Sequence, residues 1–136
     1  MTELSMRDAV SERAPRPYRK SAPNIVVIVL DDLGFAQAGC YGSDLETPNL
    51  DRIAERGIRF TNFHTTAICS PTRACLLTGR NHHRVGMGML PDLPVNFPGY
   101  TGTFPDNAAT IAEILKADGY VTSAIGKWHL TARDQR

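Results

Sequence analysis

Cysteine is scarce and odd in number. Cys40, Cys69 and Cys75 form no CxxC pair, so neither a disulfide framework nor a structural zinc knuckle is suggested. What remains is a reducing compartment or a cysteine kept for its reactivity. Net charge is nearly absent as well: fifteen Lys and Arg against fourteen Asp and Glu leave +1. Nothing electrostatic therefore favours nucleic acid or an anionic membrane as a partner. The apolar run "IVVIVL", residues 25–30, is far too short to cross a bilayer. Residues 1–23 lack both the apolar stretch of a signal peptide and a twin arginine, so a cytoplasmic location is expected. With prolines at 15, 17 and 23 and little apolar surface, they predict a disordered leader. Internal repeats are absent.

The 136 residues, 42% hydrophobic and 21% charged, allow one modest core. "NIVVIVL" is a β-branched run without polar alternation, the pattern of a parallel strand covered on both faces. "TPNLDRIAERG" carries a helix grammar: Thr47 as N-cap, Pro48 first, Leu50, Ile53 and Ala54 on one face, Gly57 as the stop. "IRFTNFHT" reads as a second strand. A short helix is expected from near Ser70 and Pro71 to Gly79, and a long loop over 81–107. A further helix is expected with Asn107 as N-cap and Ile111, Ile114 and Leu115 facing the core. "YVTSAI" then predicts a last strand. The rhythm is that of an α/β fold with a largely parallel sheet flanked by helices, occupying residues 24–136.

Three polar clusters fall where strand ends are expected, the place at which ligands gather in open parallel sheets. Asp31 and Asp32 follow the first strand. Adjacent carboxylates repel unless a cation sits between them, and hard oxygens suit Ca²⁺ or Mg²⁺; the plain alternative is a turn or a cap. Cys69 stands beside a helix N-terminus, whose free N–H groups favour an anion, with Arg73 one turn on. A small buried hydrophobe is the alternative for Cys69, and Cys75, inside the helix, reads as core. Lys127 and His129 are two apart, so in an extended segment both point to one face, with Trp128 and Leu130 towards the core. With Arg73 they could grip a tetrahedral oxyanion, or form only a solvated basic strand end. His64, His82 and His83 match no zinc-ligand spacing.

"CSPTRACLLTGR", residues 69–80, resembles the signature of the type I sulfatases, Cys-x-Pro-x-Arg followed by Thr-Gly-Arg. "NIVVIVLDDLGF", "GCYG", "TPNLDRIAERGIRFTNFH" and "ATIAEILKADGYVTSAIGKWHL" resemble the N-terminal half of that family in the same order, over about residues 24–130. The resemblance implies an alkaline-phosphatase-like fold of which only the N-terminal part is present. It implies that Cys69 is oxidised to formylglycine by a formylglycine-generating enzyme that reads Pro71 and Arg73. Arg73 would then hold the aldehyde hydrate, Asp31, Asp32 and residue 69 would ligate Ca²⁺ in preference to Mg²⁺, and Lys127 and His129 would grip the sulfate and the hydrate. One hydroxyl of the hydrate would attack sulfur and expel the alcohol of a small sulfate ester. The family's later Asp, Asn, His and Lys ligands do not occur in the chain, so it is expected to be a truncated arylsulfatase-type hydrolase, unstable and with little activity alone. A phosphonate monoester or phosphodiester hydrolase of the same superfamily, or a non-catalytic remnant, are the competing readings.

Overall fold

Local signals decide where the helices stand. The computed structural model describes Val10, residues 16 and 17, and residues 21–132. Helix α1 spans Pro48–Arg56, α2 spans Cys69–Thr78 and α3 spans Ile111–Ala117; single 3-10 turns occupy Phe35–Gln37, Gly39–Tyr41 and His82–Val85. The chain divides into two compact units, one Ile25–Thr65 and the other joining Thr66–Arg136 to Met1–Asn24, each taken here over its described residues. Most of the expected leader lies outside the described residues. Arg16, within it, donates through Nη1 to Asp118 Oδ1 at 2.8 Å and through its backbone N–H to the carbonyl of Ala117 at 3.3 Å.

In the unit Ile25–Thr65, α1 begins after Thr47 with Pro48 in its first turn and ends at Gly57, as the sequence implies. The Thr47 side chain does not bond its own helix's N–H groups, whereas its carbonyl accepts from Asp51 N at 2.9 Å. Its hydroxyl accepts from Gly39 N at 2.8 Å and donates to Asp51 Oδ1 at 3.0 Å, tying the helix to the Gly39–Tyr41 turn. Glycine at 39 suits this approach, since a Cβ there would meet Asp51 Oδ2 at 2.9 Å and that side chain would have to shift. Phe35 and Tyr41 stack at 4.3 Å, and the Tyr41 hydroxyl donates to the Phe60 carbonyl at 3.2 Å. Ile53, expected on the buried face, is exposed, while Leu50 and Ala54 are half-buried.

The three expected strands do not form. Among the described residues no strand occurs, and 24–30, 58–65 and 120–125 carry no ladder hydrogen bonds. A strand exists only through its neighbours: β-branched propensity prepares residues 25–30 for pairing but supplies no partner. Their exposure of 42–79% leaves them largely open to solvent.

The other unit closes a core. Ala74, Val85, Met87, Ala108 and Leu130 are buried together, with Leu77 and Phe104 packed against them. Helix α2 contributes Ala74 and Leu77 and stops at Gly79, whose φ of 65° lets its N–H reach the Cys75 carbonyl. The segment read as a loop supplies much of this core, because Asn81 caps the turn His82–Val85 and Gly86, at φ 73°, turns Met87 inward. Backbone bonds Gly102 N to Gly86 O and Gly88 N to Gly99 O, 2.8 and 2.7 Å, fold the segment back on itself. Helix α3 is capped by Thr110 and not by Asn107. Thr110 Oγ1 accepts from Glu113 N while Glu113 Oε2 accepts from Thr110 N. This reciprocal box needs an acid three residues after the cap; the residue three after Asn107 is Thr110. Buried Ala108 and Ala109, and not the exposed Ile111 and Ile114, face the core here.

Candidate functional site

The half-buried Cys69 is the first residue of α2, and Ile68 is its N-cap. Ser70 and Pro71, next along, are buried and fix this first turn; proline is tolerated so early because its missing N–H has no helical acceptor. The Cys69 Sγ lies 3.3 Å from His129 Nδ1. Ser70 Oγ donates to the His129 carbonyl at 2.7 Å, and Arg73 Nη1 donates to the Lys127 carbonyl at 2.7 Å. Two consecutive turns of one helix thus hold the backbone of a segment more than fifty residues away in sequence. His129 Nε2 completes the arrangement, 3.3 Å from Asp92 Oδ2, with side-chain exposures of 19% and 33%.

The sequence-derived residues Cys69, Arg73, Lys127 and His129 therefore meet in one unit. The reason given for pairing Lys127 with His129 does not hold. His129 has a φ of 53°, a left-handed conformation uncommon for a non-glycine residue, so the alternation of an extended segment breaks there. Leu130 is buried as expected, whereas Trp128 is 46% exposed. Asp92 escaped the sequence reading altogether. It is one acid in a glycine- and proline-rich segment without periodicity, and only the folding back of that segment shows what it faces. Ser70, read only as a helix start, is likewise a contact to the site.

Asp31 and Asp32 belong to the unit Ile25–Thr65, in the turn after residue 30. Asp32 has a φ of 57°, which Asp tolerates better than most residues. Carboxylates side by side are hard donors of the kind Ca²⁺ or Mg²⁺ takes, so in chemistry the pair fits such a cation. Among the described residues no three His, Cys, Asp or Glu side chains converge to hold a metal.

Away from this site, His82 packs between Cys75, whose Sγ is 3.7 Å from its Nδ1, and the ring of His83, 4.1 Å off. Burial penalises its charged form and, with a smaller push from His83, holds its pKa below the ordinary imidazole value.

Residues 23–136 match the family model described as Sulfatase. The chain is 50% identical over 110 residues to arylsulfatase A of Homo sapiens, covering 79% of this chain and 21% of that protein. It is 45% identical over 115 residues to an uncharacterized sulfatase of Schizosaccharomyces pombe, with the same coverage of 79% and 21%. To the steryl-sulfatase of Mus musculus it is 44% identical over 130 residues, 93% of this chain and 20% of that one. The chain belongs to the sulfatase family, a family of sulfuric ester hydrolases whose fold is alkaline-phosphatase-like and which generally uses formylglycine and a divalent cation. It spans about a fifth of the length of these relatives. Among the described residues no helix is long and apolar enough to cross a membrane.

Proposed function

We propose that this chain carries the nucleophile side of a sulfate-monoester hydrolase. The observation that supports this most is the meeting of Cys69 and His129, sixty residues apart, at 3.3 Å, with Arg73 fastening the Lys127 backbone beside them. On this reading Cys69 Sγ stands where an oxygen of the formylglycine hydrate would sit once a formylglycine-generating enzyme has oxidised the residue. That hydrate supplies a hydroxyl nucleophile, and a Ca²⁺ held partly by Asp31 and Asp32 supplies positive charge for the sulfuryl oxygens. The chain's own groups do the rest. His129 Nδ1 orients the reacting group of residue 69. Arg73 keeps its guanidinium charge beside the first turn of α2 while fixing the strip that bears Lys127 and His129, and the Lys127 ammonium meets the anionic oxygens of the substrate.

The substrate class is a sulfate monoester of an aryl or sterol alcohol, the two classes in the relatives' names. The test is to produce the protein together with a formylglycine-generating enzyme, read the mass of the peptide containing residue 69, and measure Ca²⁺-dependent release of sulfate from an aryl sulfate. Conversion of Cys69 is expected, with turnover in the whole protein, and Cys69→Ala there should lower turnover by about 10³-fold or more, since removing a nucleophile leaves only binding and electrostatics. Undiminished turnover by Cys69→Ala would sink the reading. Faster hydrolysis of a phosphonate monoester than of the sulfate would move it to that substrate class.

A further inference from the structure

His129 is held at its backbone and at its ring, and the second hold has a chemical consequence. On one side Ser70 Oγ, fully buried, donates to the His129 carbonyl and keeps the residue at its left-handed φ. On the other, Asp92 Oδ2 lies 3.3 Å from Nε2. An ionised carboxylate only accepts hydrogen bonds, so Nε2 must carry the proton that is shared with it. In the neutral ring Nδ1 is then left with its lone pair, and Nδ1 is the atom that faces residue 69 at 3.3 Å.

We infer that Asp92 is a positioning residue that fixes His129 in its Nε2–H tautomer, so that Nδ1 always accepts from the reacting group of residue 69. The inference rests on the proposed nucleophile at residue 69 for its catalytic meaning, but its structural content does not. With Cys69 as the thiol, the Sγ–H donates to Nδ1; with the hydrate, an O–H does. Without Asp92 the ring would sample both tautomers, and in the Nδ1–H form the ring would donate to residue 69, so that the O–H or S–H of that residue loses its acceptor. The segment holding Asp92 is itself anchored by buried Met87 and Pro91, so the carboxylate is carried by the core and not by a free loop.

The experiment labels histidine with ¹⁵N in the protein and reads the His129 tautomer from two-bond ¹H–¹⁵N couplings at about pH 8, above the ordinary imidazole pKa; His129→Gln identifies the signal. The Nε2–H form is expected in the unsubstituted protein. Asp92→Ala should give a mixture, and Asp92→Asn, nearly isosteric and able to offer its NH₂ to Nε2, should shift the ring towards Nδ1–H even where the alanine variant folds poorly. In the matured enzyme both should lower kcat about 10–100-fold, with KM within about twofold, and Asp92→Glu should restore part of the loss. An Nδ1–H ring in the unsubstituted protein, or a tautomer indifferent to both substitutions, overturns the inference. A locked Nε2–H tautomer released by Asp92→Asn in a protein that hydrolyses no sulfate ester supports the role of Asp92 and overturns the proposed function instead.

Discussion

The two units are built from similar material and end differently. The unit containing α2 and α3 buries Ala74, Val85, Met87, Ala108 and Leu130 against one another, whereas in Ile25–Thr65 the one buried hydrophobic residue is Ala38. The second unit is not less apolar: residues 25–30 are wholly apolar, and Ile58, Phe60 and Phe63 follow, yet all of these are exposed. What separates the two is the kind of contact each needs. Helices satisfy their own backbone and then pack, so α2, α3 and the folded-back segment between them find partners within about sixty residues of each other. A central strand satisfies nothing by itself; it waits for neighbours on both edges and layers on both faces.

Truncation in the two units is the direct way to break this contrast. Met87→Ala removes a fully buried side chain and should cost about 2–5 kcal/mol, whereas Ile28→Ala, at a position 67% exposed, should stay within about 0.5 kcal/mol. Urea unfolding followed by circular dichroism compares them; equal losses would mean that residues 25–30 are packed in solution. The next effect is smaller and sharpens the local half of the contrast. Thr110→Ala deletes the bonds of Thr110 Oγ1 with Glu113, keeping only the one from the backbone N–H of residue 110, and should destabilise the α2–α3 unit by about 1 kcal/mol, while Asn107→Ala, which removes the cap the sequence suggested, should do much less. Near-identical midpoints for the two variants would argue against the observed cap.

The smallest expected effect is electrostatic and belongs to the packed unit alone. The folded-state pKa of His82 lies below its unfolded value, so the folded state binds fewer protons. Stability is then full above the ordinary imidazole pKa of about 6.5 and falls as pH drops below it towards the depressed folded value. A melting temperature measured at pH 7.5 and again at pH 5.5 should fall at the lower pH, and His82→Gln should flatten part of that slope. A slope unchanged in the variant would place the pH dependence elsewhere.

Much of the local structure could be read in advance. Thr47, Pro48 and Gly57 bracket α1 because a helix's ends are written within a few residues of themselves, and Gly79 ends α2 for the same reason. Cys69, Arg73, Lys127 and His129 could be singled out because a short motif and a closely spaced basic pair stand out locally, and the fold brings Cys69, Arg73, His129 and the Lys127 backbone together. Other features were not local. Asp92 acquires a meaning only when Gly86 and Gly102 turn its segment back towards His129. Asn107 lost the cap to Thr110 once Ala108 and Ala109 were drawn into the core. The φ of His129 is positive because Ser70 and Arg73 hold the backbone on either side of it, which no spacing between Lys127 and His129 could announce.

By itself, then, the sequence determined the helix boundaries set by caps and glycines, the family through its Cys-x-Pro-x-Arg signature, and the residue types available for the site. Tertiary structure alone decided which atoms of those residues meet: Nδ1 and not Nε2 towards residue 69, Asp92 behind the ring, the carbonyl of Lys127 on Arg73. The physical reason is range. Propensity and capping act over one turn of chain, whereas the orientation of a side chain sixty residues from its partner is fixed only by the packed core that lies between them.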